Sequence, residues 1–374
     1  MNTLPFDGMA LALQQAHDCL RITDPNPRVG CVLTAPDGTV VGIGQTQRAG
    51  GPHAEVMALR DAASRGLSVE RATAYVTLEP CAHHGRTGPC CDALIAAGIG
   101  RVIASIADPN PLVAGQGFER LRAAGVQVEV GPGAETSRAL NIGFFSRMVR
   151  QTPWVRMKTA ASLDGKTALE NGSSQWITGE AARTDGHAWR ARASAVLTGV
   201  GTLLEDDPRL DVRLVDTPRQ PHLVIVDSRL QTPPDAKLFG IPGRQVWIYC
   251  ANRDADKAAA LEARGATVTR LANPSGKVDL AAMLRDLAAR EVNELHVEAG
   301  EKLNGSLMRE GLVDELLVYL APKFIGSGLG MAHRPYAGGP LTDLAQATAM
   351  EFVSVDRFGP DIRIVAQWVG RADF

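Results

Sequence analysis

At 374 residues the chain is too long for one ordinary core, so two domains are expected. A formal net charge of -2, with 45% hydrophobic and 21% charged residues, describes a soluble globular protein and argues against a strongly cationic nucleic-acid binder. The opening stretch MNTLPFDGMALALQQAHDCL has no basic start followed by a long apolar run, and six cysteines in so long a chain do not make a secreted disulfide framework. No signal peptide or membrane span is therefore expected, and reduced thiols in a cytoplasm fit better.

In chain order, Val29-Gly30-Cys31-Val32-Leu33 and Val40-Val41-Gly42-Ile43-Gly44 read as strands, and the Pro36-Asp37-Gly38 turn between them predicts a hairpin. Residues 53–65 read as a helix with apolar Val56, Leu59, Ala62 and Ala63. Strand and helix signals then alternate: strand 74–78, helix 92–97, strand 102–106, helix 118–124, strand 126–130, and a closing helix from 135 to about 149. Such alternation implies a layered α/β domain over 1–150. Gln151-Thr152-Pro153 reads as the junction. A second alternation over 153–374 passes through strands at 154–158, 222–226, 246–249 and 295–297. It ends in strand-like runs at 316–320 and 362–369, expected to pair antiparallel.

The chemistry concentrates in two places. Pro52-His53-Ala54-Glu55 carries His-x-Glu at a predicted helix start, and Pro80-Cys81 is followed after eight residues by Cys90. Zinc takes N and S donors in tetrahedral array, and a catalytic site leaves one position for water. Two thiolates and a neutral imidazole would hold the dication and still let it lower the pKa of that water. Glu55, two residues beyond His53, can reach the fourth position without being a ligand and move protons there. Alone, His53 or Cys81 reads more simply as a helix-start histidine or a buried thiol. The ordered set matches the zinc nucleobase-deaminase signature, with a longer gap between the thiols. Cys91 rivals Cys90; adjacent residues point apart, and Cys90 is preferred because it follows Pro89 as Cys81 follows Pro80.

Pro25-Asn26-Pro27-Arg28-Val29-Gly30, then His53-Ala54-Glu55-Val56, then the run from Thr77 through Cys81-Ala82-His83-His84-Gly85 to Cys91 resemble the pyrimidine deaminase of riboflavin biosynthesis, a branch of the cytidine-deaminase-like fold. The resemblance implies that Asn26, His83 and His84 line the substrate pocket. Gly88 stands where the family often has proline, and no histidine lies near Thr46.

In the second half, Gly199-Val200-Gly201 is only half of a dinucleotide-binding fingerprint. The stretches around Lys158-Thr159-Ala160, Ser174-Gln175-Trp176, Gly199-Val200-Gly201-Thr202, Asp206-Asp207-Pro208-Arg209-Leu210 and Glu298-Ala299-Gly300 instead resemble the riboflavin-pathway reductase, a dihydrofolate-reductase-like fold that uses NADPH. Ala299 replaces a glycine common in that family. The resemblance implies NADPH contacts from Ala160, Trp176, Thr202, Asp206, Ser228 and a turn of Gly300, Glu301, Lys302, Leu303, Asn304, Gly305 and Ser306. It implies substrate contacts from Ser174, Arg190, Leu210, Arg213 and Glu298. Arg190 and Arg213 can grip a phosphate with forked donors, and Lys158 and Glu298 suit ribose orientation or proton handling.

The whole chain therefore resembles the bifunctional riboflavin-biosynthesis deaminase–reductases. The expectation is an α/β protein with a cytidine-deaminase-like domain followed by a dihydrofolate-reductase-like one, using Zn2+ and NADPH on a phosphorylated pyrimidine. No nucleic acid or membrane partner is expected, and a homo-oligomer is. Two rivals remain: a nucleoside or nucleic-acid base deaminase, which calls for a basic groove and stacking aromatics, and a non-catalytic zinc-stabilised module, which would have no use for Glu55.

Overall fold

The computed structural model describes residues 7–82, 88–111, 114–336 and 339–374. It divides into two compact units, Met1–Arg150 and Gln151–Phe374.

The first unit opens with α1 (Gly8–Asp18), whose start is fixed by Asp7: its carboxylate accepts the N–H groups of Met9 and Ala10, both at 3.0 Å. The hairpin β1 (Gly30–Thr34) and β2 (Val40–Gln45) follows, then α2 (Ala54–Ser64), β3 (Thr73–Val76), α3 (Cys90–Ala96), β4 (Arg101–Ala104), α4 (Gln116–Ala123) and β5 (Gln127–Val130). Helices α5 (Ala134–Leu140) and α6 (Ile142–Arg150) close the unit. The sheet order is β2-β1-β3-β4-β5. β1 runs antiparallel to both of its neighbours, while β3, β4 and β5 are parallel. Two glycines seat α2 on this sheet: a Cβ on Gly42 or Gly44 would lie 2.3 Å from the carbonyl oxygen of Ala58 or Ala54. Only glycine lets the helix approach so closely, and that approach sets the height of His53 and Glu55 above the strands.

Two expectations change here. The single closing helix is two, broken at Asn141, whose side chain accepts from the Arg28 N–H (2.7 Å) and donates to the Arg28 carbonyl (2.9 Å). The short helix predicted from Asp92 begins at Cys90 instead, with Pro89 as its N-cap.

The second unit comprises β6 (Trp154–Ser162), β7 (Ala168–Leu169), α7 (Glu180–Arg192), β8 (Ala195–Gly199), α8 (Val200–Asp206), β9 (His222–Val226), β10 (Val246–Cys250), α9 (Ala255–Glu262), β11 (Ala266–Arg270), α10 (Leu280–Ala289), β12 (Glu294–Val297), α11 (Glu301–Arg309), β13 (Glu315–Ala321), β14 (Gly328–Leu329), β15 (Met350–Phe358) and β16 (Asp361–Trp368). Nine strands make one sheet, ordered β11-β10-β9-β8-β12-β6-β13-β16-β15. The strands from β11 to β13 are parallel and β13 pairs antiparallel with β16, as the terminal runs predict. One face is an apolar core of Val155, Met157, Leu197, Leu295 and Val297 under α10 and α11. The opposite face carries buried charge: Arg156 pairs with Glu294 and Glu315, and Arg192 also pairs with Glu294. A glycine-bearing turn leading into a helix at 302–309 is expected here; the helix is present as α11, but the turn does not extend to 306, since Gly300 is its N-cap and 301–306 are helical. β6 also runs four residues beyond its predicted end.

Candidate functional site

In the first unit the C-terminal ends of the parallel strands and the starts of two helices converge. His53 is the N-cap of α2, Cys90 is the first residue of α3, and Cys81 lies in the loop leaving β3. His53 Nδ1 is 3.3 Å from Cys90 Sγ and 3.7 Å from Cys81 Sγ, and the three donor atoms all lie within 4.8 Å of one another. Tetrahedral ligands at zinc–sulfur and zinc–nitrogen bond lengths stand roughly 3.5–3.8 Å apart, so the donor set fits zinc in chemistry and in spacing. The Sγ of Cys91 is 3.9 Å from Asp92 Oδ1, outside the cluster.

Electrostatics prepare the donors. The hydrogen bond from the Cys90 thiol pulls the Cys81 pKa down to about 4. The same bond, with burial, pushes Cys90 up, so the pair shares one proton. The bond to Cys81 raises His53. Glu55 is buried in the first turn of α2, and burial followed by the Cys81 charge raises its pKa. A carboxyl held in this way can carry a proton and release it.

The sequence reading missed Asp108. It is buried just beyond β4, its pKa is raised to about 7 chiefly by burial, and the charge of Cys81 is felt there. Glu79, also buried, shapes this loop by accepting the N–H groups of Asp108 (3.2 Å), Gly115 (2.9 Å) and Gly117 (2.9 Å). A signal was present: Asp-Pro-Asn-Pro occurs at 24–27 and again at 108–111. Asn26 is half-buried in the first of these, its N–H donating to the Thr23 carbonyl at 2.9 Å. His83 and His84 lie outside the described residues.

In the second unit the candidate residues gather at the C-terminal edge of the parallel strands, where open α/β sheets bind ligands. Glu298 follows β12. Arg190, from α7, clasps it with Nε and Nη2, and Lys158 Nζ from β6 lies 3.6 Å away. Burial would raise the Glu298 pKa, but Arg190 and Lys158 together draw it well below the usual carboxylate range. The fork of Arg190 is thus occupied by a carboxylate. Its Nη1 donates to the Asp211 carbonyl (3.0 Å), while the Asp211 carboxylate binds Arg213 (2.5 Å) and Arg209 (3.0 Å). The Arg213 N–H donates to His187 Nδ1 at 3.2 Å, a second residue the sequence reading passed over.

Thr202 Oγ1 accepts the Gly300 N–H at 3.1 Å, tying the start of α8 to that of α11. The next three N–H groups of α11, on Glu301, Lys302 and Leu303, have no acceptor within the helix, and donors so placed can receive an anion. Deeper residues of the predicted stretch face elsewhere. The Leu303 side chain packs on the apolar core, Asn304 donates to the Met331 carbonyl (3.1 Å), and a Cβ on Gly305 would meet the His333 carbonyl at 1.8 Å. Ser306 Oγ donates to the Lys302 carbonyl. Leu210 is likewise in the core, with left-handed backbone (φ 49°), and its carbonyl accepts from Arg244 Nη1 at 2.8 Å. Ala160 is half-buried on β6, Ser228 half-buried past β9, and Asp206 ends α8 exposed. Ser174 is half-buried, while Trp176 is exposed with the Arg183 guanidinium 4.7 Å over its ring.

Comparison with known proteins bears on both units. The family model described as "Cytidine and deoxycytidylate deaminase zinc-binding region" matches residues 6–106, and that described as "RibD C-terminal domain" matches 153–364. Riboflavin biosynthesis protein RibD of Escherichia coli is 44% identical over 95% of this chain and 96% of its own. The chain belongs to the RibD family. Solved RibD from Acinetobacter baumannii is 37% identical, with a TM-score of 0.85 over 96% of this chain and 98% of that one. A diaminohydroxyphosphoribosylaminopyrimidine deaminase/5-amino-6-(5-phosphoribosylamino)uracil reductase from Thermotoga maritima is 31% identical, with a TM-score of 0.83 over 96% and 97%. Like other RibD proteins, this one is a bifunctional enzyme of riboflavin biosynthesis, a zinc-dependent deaminase and an NADPH-dependent reductase. No helix among the described residues is long and apolar enough to cross a membrane.

Proposed function

We propose that the first unit deaminates a diaminopyrimidinone carrying a phosphoribosylamino group, and that the second reduces the ribosyl chain of the product to ribityl. The observation that carries the reading is the meeting of His53, Cys81 and Cys90 beside the buried carboxyl of Glu55.

His53, Cys81 and Cys90 would hold the metal. Bound zinc supplies a Lewis acid that makes water a competent nucleophile near neutral pH. Glu55 would take a proton from the attacking water as its oxygen bonds to the amino-bearing ring carbon, pass a proton to the ring nitrogen and another to the amine, and the carbon–nitrogen bond would then break to release ammonia. Asp108, whose pKa burial raises to about 7 and whose loop Glu79 holds, would hydrogen-bond the substrate beyond the ring.

NADPH supplies a hydride to the sugar C1. Lys158, oriented by Glu298, donates a proton to the sugar oxygen as the ring opens. The surplus of guanidinium groups from Arg190, Arg209 and Arg213 over the carboxylates of Asp211 and Glu298 favours the substrate phosphate. Thr202 and the start of α11 seat the cofactor phosphates, and Trp176 offers an exposed ring for stacking.

The test is mass spectrometry of the substrate after incubation with zinc-loaded protein, with and without NADPH. Deamination alone is expected without NADPH, and a further gain of two hydrogens with it. No change in either tube would overturn the reading and turn attention to nucleoside and nucleic-acid bases. Glu55→Gln should lower deaminase turnover by about 10²- to 10⁴-fold while keeping its zinc. Full turnover in that variant would sink the mechanism and favour a zinc-stabilised module.

The protein is further proposed to be cytoplasmic, a location suited to its six unpaired cysteines, and to form a homo-oligomer. Strand β15 lies at the sheet edge, with Phe352 73%, Val353 56% and Val355 57% exposed, and a second copy is the partner that would cover them.

A further inference from the structure

Beneath Glu298 lies a histidine that the proposed reaction does not use. His296 is two residues earlier on β12, so its side chain leaves the same face of the sheet. It is fully buried, and neither ring nitrogen has a hydrogen-bond partner. Burial lowers its pKa, keeping the ring neutral at neutral pH with one N–H to give. A buried polar group left unpaired costs free energy, and native chains retain few of them. The acceptor within reach is Glu298, with Nε2 to Oε1 at 3.5 Å, just beyond hydrogen-bond length. A small movement of the carboxylate would close that gap.

What prevents the movement is Arg190. Its Nε is bonded to Oε1, the oxygen nearest His296, and its Nη2 to Oε2, so both carboxylate oxygens are fixed by the guanidinium. Yet Arg190 is also a residue proposed to take the substrate phosphate. One guanidinium cannot keep both forked contacts at once. When the phosphate takes it, the carboxylate is left with Lys158 and whatever else lies near.

We propose that His296 is the second resting place of Glu298: as the substrate phosphate draws Arg190 away, the carboxylate settles on the His296 Nε2–H and stays aimed, with Lys158, at the ribose. The histidine is a positioning residue and touches no substrate. Phosphate recognition then readies the proton-handling pair, so that a correctly phosphorylated substrate aligns its own reductase site. The charged groups around the ring suit this role. Arg156 from β6 and Arg190 from α7 disfavour an imidazolium. Glu294, from the same strand, is already held by Arg156 and Arg192, which leaves Glu298 as the carboxylate the ring can serve. The inference rests on the proposed roles of Arg190 and Glu298.

The experiment follows the histidine ring N–H signals of the full-length, ¹⁵N-histidine-labelled protein while ribose 5-phosphate is added. The signal lost in His296→Gln assigns the residue. It should move downfield on ligand binding in the wild type and stay still when Arg190 is replaced by alanine. In kinetics, His296→Phe should lower the reductase kcat about tenfold, the loss of one oriented hydrogen bond to a charge, with KM for NADPH unchanged. The acidic limb of its pH profile should shift, and His296→Gln, which keeps a donor, should recover most of the rate. A ring signal that ignores bound ribose 5-phosphate, or an unchanged kcat in His296→Phe, overturns the proposal. If ribose 5-phosphate binds equally well to Arg190→Ala, the phosphate role of Arg190 fails first and takes the proposal with it.

Discussion

The choice between Cys90 and Cys91 shows how much one residue's direction decides. Both are buried, and they are neighbours at the start of α3. A helix turns successive side chains by about 100°, so one thiol faces His53 and Cys81 while the other faces Asp92. Cys90→Ser should therefore remove most of the zinc, and Cys91→Ser should keep it, as metal analysis of the purified variants would show. Equal zinc in both variants would contradict the ligand set. His187 carries a different consequence. Burial, then Arg190 and Arg213, hold its pKa down to about 4. The unfolded chain binds the proton near the ordinary value of about 6.5. The unfolded state therefore holds more protons between these limits, and stability, complete above pH 6.5, falls as pH drops toward 4. The loss by pH 5 should be on the order of 1–2 kcal/mol, and His187→Gln should flatten it. Tryptophan fluorescence in urea titrations measures this, since all five tryptophans lie in the second unit.

Among the elements, β15 makes the clearest test. An edge strand with apolar side chains toward solvent is a site for association unless something covers it. Phe352→Lys should shift the protein toward a smaller species in sedimentation velocity, with little change in thermal stability, because the side chain is already exposed. A single species of unchanged size would exclude this strand as the contact. This surface was not legible in the sequence: the terminal strands expected were 316–320 and 362–369, Met350–Phe358 was not among them, and nothing local says which strand ends a sheet. Other elements were legible for physical reasons. The hairpin follows from its turn, and the deaminase ligands from short-range pairs, His-x-Glu and Pro-Cys, whose geometry needs little tertiary context. What stayed hidden depends on distance along the chain. The break between α5 and α6 arises because Asn141 bonds the backbone of Arg28, far away in sequence. Arg190 and Glu298 meet only once α7 is laid on β12, and His296 on its strand looks like any core residue. Asp108 was the exception, marked by a repeated tetrapeptide and still passed over. The family resemblance supplied residues 300–306 as one stretch, and only the structure separates the helix-start N–H groups from side chains turned into the core.

At the scale of the whole molecule, two chemistries sit on units that each bury their own core and build their own site. Among the described residues, the deaminase cluster of His53, Cys81 and Cys90 is drawn from the first unit, and the Lys158–Arg190–Glu298 group from the second. Chemical independence of this kind predicts complementation. Glu55→Gln should leave the reductase working, and Glu298→Ala should leave the deaminase working. Mixed in solution with zinc, NADPH and substrate, the two variants should together yield the deaminated, reduced product, because the intermediate released by one can be taken up by the other. The product should appear after a lag that shortens as the Glu55→Gln protein is increased, since that protein captures the intermediate by diffusion. Time-resolved mass spectrometry reads both species. If deaminated intermediate accumulates and no reduced product forms, although Glu55→Gln alone reduces intermediate supplied to it, then transfer is confined within one molecule. The two units would then be joined by a route for the intermediate, and the independence argued from their separate cores would be wrong.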